Sequence, residues 1–161
     1  MTSGTLLLAF LTLQRLGELA IASRNTKSLL AQGAYERGAG HYPVMVALHA
    51  TWLATLWFFG WSHAAAVPFV VVFAVLQAAR LWVMRTLGRR WTTRIIIVPG
   101  LAPVTTGPFR FVRHPNYLVV AIELPVVSLA LGLVWHAALF AALNLAMISW
   151  RIRAENRAFA A

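Results

Sequence analysis

Residues Gly107 to Tyr117 read GPFRFVRHPNY and lie between a basic segment and a long apolar run. Proline is favoured at the first position of a helix, because that position needs no backbone N–H donor. Pro115 is therefore expected to start a helix that carries Tyr117 and Glu123. The free N–H groups of a helix start suit an anionic group. The stretch predicts an anion-receiving helix entrance at a membrane surface, although it also fits a capping loop whose arginines face lipid headgroups.

The composition indicates an integral membrane protein. Of the 161 residues, 60% are hydrophobic, against roughly 45–50% in soluble domains. The apolar residues come in runs of about 20, the length that a helix needs to cross a bilayer. We predict an all-α integral membrane fold, one domain over residues 1–161, with a cytoplasmic connector between helices 3 and 4 and a hairpin of helices 4 and 5. Its five transmembrane helices are expected at about 5–22, 43–61, 64–87, 115–131 and 134–153.

The basic residues predict the orientation of these helices. Twelve of the fourteen lysines and arginines fall in three segments, at 24–37, 85–113 and 151–157, and the turns near residues 62 and 133 have none. Five spans place all three segments on one side, which the positive-inside rule makes cytoplasmic. We therefore expect a bacterial inner-membrane protein with its N-terminus outside, its C-terminus cytoplasmic and its active site on the cytoplasmic face. Nucleic acid is not an expected partner despite the net charge of +10, because topology explains the charge.

Several classes of chemistry do not fit the residue inventory. The chain has no cysteine, no aspartate and only four glutamates, so no thiolate or carboxylate metal site is expected. The five histidines form neither an HxxxH nor an HExxH metal-binding motif on one helix. No serine has a histidine and an acid at the spacing of a known catalytic triad. Methyl transfer from a sulfonium cofactor to an anionic oxygen fits better, because there the protein mainly aligns donor and acceptor.

Charged residues inside the predicted helices allow two interpretations. Arg15 and Glu18 lie three residues apart and can pair on one helix face. Such groups are costly in a membrane and normally face the protein interior. The sequence leaves open whether these two residues, together with Arg80 and Glu123, are structural or line a substrate pocket.

The last helix carries a polar stripe of Asn144, Arg151 and Glu155, at i+7 and i+4 spacing. A carboxylate near a helix C-terminus has the wrong sign for the helix dipole, and Arg followed by Glu is the poorer orientation for a pair. Glu155 is therefore not expected to serve helix stability, although a solvated charged tail remains an alternative.

The connector between helices 3 and 4 is long for such a small bundle, and long connectors are usually functional. Proline and glycine interrupt it, and Arg94 to Val98 is either a short strand or a partly inserted apolar segment. In the first polar segment, Ser28 to Tyr35 is expected to form a short interfacial helix.

Residues 105–117, TTGPFRFVRHPNY, together with Arg151 and Glu155, resemble the isoprenylcysteine carboxyl methyltransferase family. These integral membrane enzymes use S-adenosylmethionine (SAM). They carry a Gly-x-Tyr/Phe…Arg-His-Pro-x-Tyr signature, followed one helical hairpin later by Arg-x-x-x-Glu. The resemblance covers about residues 85–159. The N-terminal half, with Glu36 and His41-Tyr42-Pro43, looks like the small bacterial branch, some of whose members O-methylate alkylpyrones.

The resemblance implies roles for individual residues. His114 and the helix start would face the methionine carboxylate of SAM, Glu155 a ribose hydroxyl or the amino group, and Arg151 would act as the catalytic residue that orients the acceptor oxygen. Family members often have Glu-Glu where this chain has Glu155-Asn156. The implied cofactor-binding set is Leu101, Ala102, Pro103, Val104, Phe109, His114, Pro115, Asn116, Tyr117 and Glu155; no metal is implied.

The resulting hypothesis is a SAM-dependent membrane O-methyltransferase. It would methylate a carboxylate or an acidic hydroxyl of a lipophilic acceptor, isoprenylcysteine-like or alkylpyrone-like, that enters from the bilayer among the membrane lipids. One alternative is a phospholipid or amine N-methyltransferase, which an arginine beside the acceptor argues against. Another is a non-catalytic membrane scaffold. The oligomeric state is not predicted.

Overall fold

The computed structural model describes residues 1–160, with side chains up to residue 158. It is built from five α-helices, as the sequence predicted. Four of the helices are long and apolar enough to cross a membrane, and α4, with 16 residues, is shorter. The helices are α1 (Ser3–Ala31), α2 (Tyr42–Gly60), α3 (Val67–Leu87), α4 (Pro115–Ala130) and α5 (Val134–Ala160).

Helix α1 is longer than the sequence suggested. The separate interfacial helix expected at Ser28 to Tyr35 is wrong, because α1 continues unbroken to Ala31. No glycine or proline lies between Gly17 and Gly33, which takes a positive φ of 89° just beyond the helix. The polar residues on this stretch are accommodated locally, since the Thr26 hydroxyl donates to the Ala22 carbonyl oxygen at 2.8 Å.

Two short strands pair the segment that follows α1 with the connector between α3 and α4. Strand β1 (Tyr35–Glu36) pairs antiparallel with β2 (Ile96–Ile97). Of the two alternatives for Arg94 to Val98, the short strand is therefore confirmed. An ion pair between Arg94 and Glu36, at 2.8 Å, flanks the ladder. This small sheet anchors the connector to the segment that follows α1. Three short 3-10 turns, at Ala39–His41, Gly88–Arg90 and Gly107–Arg110, complete the architecture.

The bundle has two ends of different character. At one, the turn end, the start of α1 and both short interhelical turns are tied together. The Gly4 amide donates to the His63 carbonyl oxygen at 3.1 Å, and the Ala66 amide donates to Ala130 at 2.8 Å. The His63 ring nitrogen lies 2.6 Å from the Leu131 carbonyl oxygen. The opposite, connector end holds the sheet, the connector and the C-terminal turns of α5.

Apolar side chains point both into and out of the bundle. The main core contains Leu8, Leu11, Trp52 and Leu124, all buried. Many other large apolar side chains cover the outside, and Phe58 is 76% exposed. A bundle that is apolar inside and outside is typical of helices surrounded by lipid.

Four charged side chains pair with one another between α1, α3 and α4, and we call them the charge quartet: Arg15, which is half-buried, and Glu18, Arg80 and Glu123, which are buried. Both arginines donate to Glu123 Oε2. They also donate to Glu18 Oε2, at 2.8 Å from Arg15 and 3.1 Å from Arg80. The predicted pairing of Arg15 with Glu18 is confirmed, and the quartet is formally neutral.

Two glutamines complete the hydrogen bonding of the carboxylates. Gln14 Nε2 donates to Glu18 Oε1 and Gln77 Nε2 donates to Glu123 Oε1, each at 2.9 Å. Every carboxylate oxygen of the quartet thus has a donor. A buried charge is tolerated when it is paired and its remaining lone pairs are satisfied.

We predict that Glu123→Gln strongly destabilises the protein. The change leaves the two arginines with one carboxylate and a net buried positive charge, which costs about 3–5 kcal/mol in comparable buried pairs. Thermal unfolding of the purified protein in detergent measures the loss.

The matched control is Glu36→Gln, which also removes a carboxylate from an arginine pair, but at the partly exposed sheet. Exposed pairs contribute about 0–1 kcal/mol, so little change is expected. Equal losses in the two variants would show that the quartet does not hold the helices together.

Candidate functional site

The 3-10 turn at Gly107–Arg110 brings the connector against the end of α3. Gly107 has a φ of +58°, and a Cβ atom there would lie 2.5 Å from Thr86 Oγ1, so only glycine fits this approach. The turn then places Phe109 against a small apolar cluster that contains Val83 and Trp91. The conformation of this part of the connector is thus fixed by packing.

Helix α4 begins at Pro115, as the sequence predicted. His114 precedes it as the N-cap residue, and its ring stacks on the Tyr117 ring with centroids 5.1 Å apart and an interplanar angle of 14°. The stacking orients the Tyr117 side chain at the helix start, toward α5.

Four side chains at this point form what we call the Tyr117 cluster: His114, Tyr117, Arg151 and Glu155. Arg151 Nε donates to the Tyr117 hydroxyl at 2.8 Å, and that hydroxyl donates to Glu155 Oε2 at 2.5 Å. His114 Nδ1 lies 3.8 Å from the same carboxylate oxygen. The structure thus brings the start of α4 together with the arginine and glutamate of α5.

Arg151 is also held from α2. Its Nη1 lies 2.8 Å from the sulfur of Met45. Its guanidinium carbon lies 5.4 Å from the centroid of the Tyr117 ring. Contacts with two other helices therefore fix the direction of a long and otherwise flexible side chain. Met45 could not be singled out from the sequence, since it is one apolar residue among many on an apolar helix.

A cavity of about 530 Å³, which we call the connector cavity, opens beside the Tyr117 cluster. Arginines 90, 94, 113 and 151 and the single carboxylate Glu155 lie in its wall. Most of the residues that the family resemblance implied line it: Pro103, Val104, Phe109, His114, Pro115, Asn116, Tyr117, Arg151 and Glu155.

Two of the implied residues lie outside this wall. The Leu101 side chain is largely exposed, and Ala102 is exposed as well. The Ala102 carbonyl oxygen accepts a hydrogen bond from Arg90 Nη2 at 3.0 Å, which ties the connector back to the end of α3. The structure therefore gives this pair no contact with the cavity.

A second, largely apolar cavity of about 300 Å³, the inner cavity, lies deeper among the helices. Its wall includes apolar residues of α1, α2, α4 and α5, and also His49 and Asn144. The two cavities share five wall residues, and these form the partition between them: Trp91, Thr92, Asn116, Tyr117 and Arg151. Trp91 and Thr92 were not singled out from the sequence, because only the folded connector brings them beside α4.

The charge quartet has both of the roles that the sequence left open. Arg15, Glu18 and Arg80 line the inner cavity, while Glu123 does not. All four still pair with one another. The quartet therefore joins three helices and also gives the deep part of an apolar cavity a polar wall.

Metal-binding side chains are not gathered at this site. Within residues 1–160, no three His, Cys, Asp or Glu side chains come close enough to hold a metal ion. The chemistry considered below therefore draws on the arginines, the tyrosine and the two cavities.

Comparison with known proteins confirms the resemblance. The sequence model of the isoprenylcysteine carboxyl methyltransferase (ICMT) family matches residues 66–161. The Bacillus subtilis (strain 168) protein YpbQ, described as an uncharacterized protein, is 35% identical over 166 residues, covering 95% of this chain and 94% of its own length. No solved structure matches the chain. The matched region contains the connector, α4 and α5, and hence the Tyr117 cluster. The chain belongs to the isoprenylcysteine carboxyl methyltransferase family.

Proposed function

We propose that this protein is a SAM-dependent O-methyltransferase that methylates a carboxylate or an acidic hydroxyl of a lipophilic acceptor. One observation carries the proposal: a cavity with four arginines and a glutamate in its wall shares Tyr117 and Arg151 with a largely apolar cavity. A transferase for a water-soluble donor and a lipid-soluble acceptor needs two such compartments with one contact point. Family membership supports methyl transfer as the reaction.

The connector cavity suits SAM in size and in chemistry. Ligand pockets commonly measure about 300–1,000 Å³, and this one measures about 530 Å³. Trp91 Nε1 and Asn116 Oδ1 are a buried donor and a buried acceptor without hydrogen-bond partners. Both lie in the partition, where a polar ligand would satisfy them. When bound, SAM would supply an electrophilic methyl group.

The Tyr117 cluster would hold the cofactor in this cavity. Glu155 keeps carboxylate lone pairs for a ribose hydroxyl or an ammonium group, while Tyr117 fixes its orientation. The stacked faces of His114 and Tyr117 provide an aromatic wall next to it, and aromatic faces attract cationic groups such as a sulfonium. Arg113, also in the wall, is a suitable partner for a carboxylate.

Arg151 would bind the acceptor oxygen. It lies in the partition, and its Nε and Nη1 are already held by Tyr117 and Met45. The two N–H groups of Nη2 make no hydrogen bond within the described residues and are left for an anionic oxygen. A fixed guanidinium stabilises an anion and repels an ammonium group. This arrangement favours O-methylation over the methylation of an amine.

We further propose that all five helices cross the bacterial inner membrane, with the connector end cytoplasmic. Helix α4 is about 24 Å long at 1.5 Å per residue, slightly less than the roughly 30 Å hydrocarbon core. It nevertheless runs from Pro115 at the connector end to Ala130, which is hydrogen-bonded at the turn end. The acceptor would then enter the inner cavity sideways from the bilayer.

The first test concerns Arg151. We expect Arg151→Ala to lower kcat/KM by about 100-fold or more, because loss of one positioned donor to a developing or bound oxyanion has effects of that size. Activity is measured with labelled SAM and a lipid extract, and the methylated product is identified by mass.

Arg153→Ala is the matched control, since Arg153 is exposed on the same helix. It should leave activity within about twofold, as exposed charges contribute little. Full methyl transfer by a folded Arg151→Ala variant would overturn the role of Arg151 at the acceptor oxygen, whereas no methyl transfer by the wild-type protein would favour the scaffold alternative.

The second test concerns the cofactor. We expect SAM and S-adenosylhomocysteine to bind the purified protein, and Glu155→Gln to weaken binding about 10- to 100-fold, because a charge-assisted hydrogen bond is replaced by a neutral one. Calorimetry measures both affinities. Arg157→Gln, an exposed change two residues along the helix, is the control. Absence of any binding to the wild-type protein would refute the proposed activity.

The third test concerns topology. The chain has no cysteine, so Ser62→Cys and Thr106→Cys each introduce a unique thiol, at the turn end and in the connector. Both positions are exposed. A membrane-impermeant maleimide added to intact cells should label residue 62 and spare residue 106. The reverse pattern would invert the orientation, and labelling of both would exclude five spans.

A further inference from the structure

Most of the unpaired buried polar atoms among the described side chains belong to residues that line the inner cavity. Among the described side chains, seven buried nitrogen or oxygen atoms have no hydrogen-bond partner. Five of the seven belong to residues in the wall of this cavity: Arg15, Arg80, Trp91, Asn116 and Asn144. Buried polar groups are normally paired, so this concentration points to a ligand with polar groups. Two of the five lie in the partition, and the other three lie deeper.

Asn144 presents a hydrogen-bond acceptor of fixed direction. Its side chain is only 1% exposed, and its Nδ2 donates to the Val120 carbonyl oxygen on α4 at 3.2 Å. A carbonyl oxygen can only accept, so the amide nitrogen must face Val120. The Oδ1 atom has no partner among the described residues, and it can pair only with a hydrogen-bond donor.

Arg15 and Arg80 present the complementary donors. Their terminal nitrogens are committed to Glu18 and Glu123. The Nε atoms of both arginines remain unpaired, and Arg80 is only 2% exposed. An N–H group of this kind can bind only a hydrogen-bond acceptor.

The partners of these groups on α4 lie within about one helical turn of each other along the helix axis. Asn144 is attached to Val120, and the arginines are attached to Glu123, three residues further along. At 1.5 Å per residue, Val120 and Glu123 lie about 5 and 9 Å beyond Tyr117 along the helix axis. We call Asn144, Arg15 and Arg80 the deep polar zone; it is separated from the partition by one to two helical turns.

We propose that the deep polar zone recognises a hydroxyl group on the lipophilic part of the methyl acceptor, with Asn144 as the specificity-determining residue. The inference rests on the proposed function of the same site. A hydroxyl both donates and accepts, so it satisfies Asn144 Oδ1 and an arginine Nε together. A carbonyl would leave Asn144 Oδ1 unpaired. A carboxylate has no hydrogen to donate to Asn144 Oδ1. It would also add a negative charge beside a quartet that is already neutral, which is unfavourable.

The distance along α4 gives the position of this hydroxyl. The oxygen to be methylated lies at Arg151 and Tyr117 in the partition. The second group then lies roughly 5–9 Å away along the acceptor. The acceptor is thus an elongated molecule with an acidic group at one end and a neutral hydroxyl part of the way along its apolar chain.

The experiment compares matched probes. Dodecanoate and an acidic alkyl hydroxypyrone are each used with and without a mid-chain hydroxyl at that distance. Binding to the protein in lipid nanodiscs is measured by calorimetry, and methyl transfer from labelled SAM is measured separately. The hydroxylated member of a pair should bind about 10- to 100-fold more tightly, because its absence leaves buried partners unpaired.

Variants assign the effect to Asn144. In Asn144→Leu the two members of a pair should bind within about threefold of each other, because an apolar side chain offers no acceptor. Ser149→Ala is the control; Ser149 is an exposed polar residue on α5 that bonds only its own helix, at the Leu145 carbonyl oxygen. It should keep the full preference.

The outcomes separate the two proposals. Equal binding of both members by the wild-type protein overturns the deep polar zone as a hydroxyl site, whether or not Asn144→Leu folds. If Asn144→Leu keeps the preference for the hydroxylated probe, Asn144 has only a structural role, as the hydrogen-bond link between α5 and α4. That result overturns its role in recognition. Hydroxyl-selective binding without methyl transfer refutes the proposed function and supports the hydroxyl site. Methyl transfer without hydroxyl selectivity supports the proposed function and overturns the hydroxyl site.

Discussion

The buried charge quartet is the constraint on which the rest of the bundle depends. Two arginines and two glutamates from α1, α3 and α4 share carboxylate oxygens between them. None can be left alone in an apolar interior, because an unpaired buried charge is strongly unfavourable. The three helices must therefore keep one register relative to each other. That register fixes the position of Glu123 along the bundle axis. It thereby also fixes the position of Tyr117, which lies about two turns of α4 nearer the connector.

The position of Tyr117 in turn creates the site. Its hydroxyl links Arg151 to Glu155, and its ring stacks on His114. Tyr117 lies in the walls of both cavities, so one side chain touches the arginine-lined connector cavity and the largely apolar inner cavity. The proposed chemistry needs little more from the protein than this placement, since alignment of a reactive donor with an anionic acceptor supplies much of the rate.

Much of the helical framework could be predicted from the sequence, and less of the connector could be. Apolar runs and Pro115 predicted the five helices, because segment length and proline chemistry are local properties. The end of α1 was placed too early, because a polar helix outside an apolar run gives no periodic signal. Leu101 and Ala102 were assigned to the cofactor pocket, yet they lie outside the cavity wall, since the path of an irregular connector depends on contacts such as Gly107 on Thr86.

The sequence by itself determined the class of protein, the family signature at residues 105–117 and the polar stripe of α5, because each follows from residues close together in the chain. Only the tertiary structure decided that this stripe meets the start of α4 and that α2 contributes Met45. It alone showed that Arg15, Glu18 and Arg80 both pair and line a cavity. These facts depend on the packing of helices distant in sequence, for which no single segment carries a local signal.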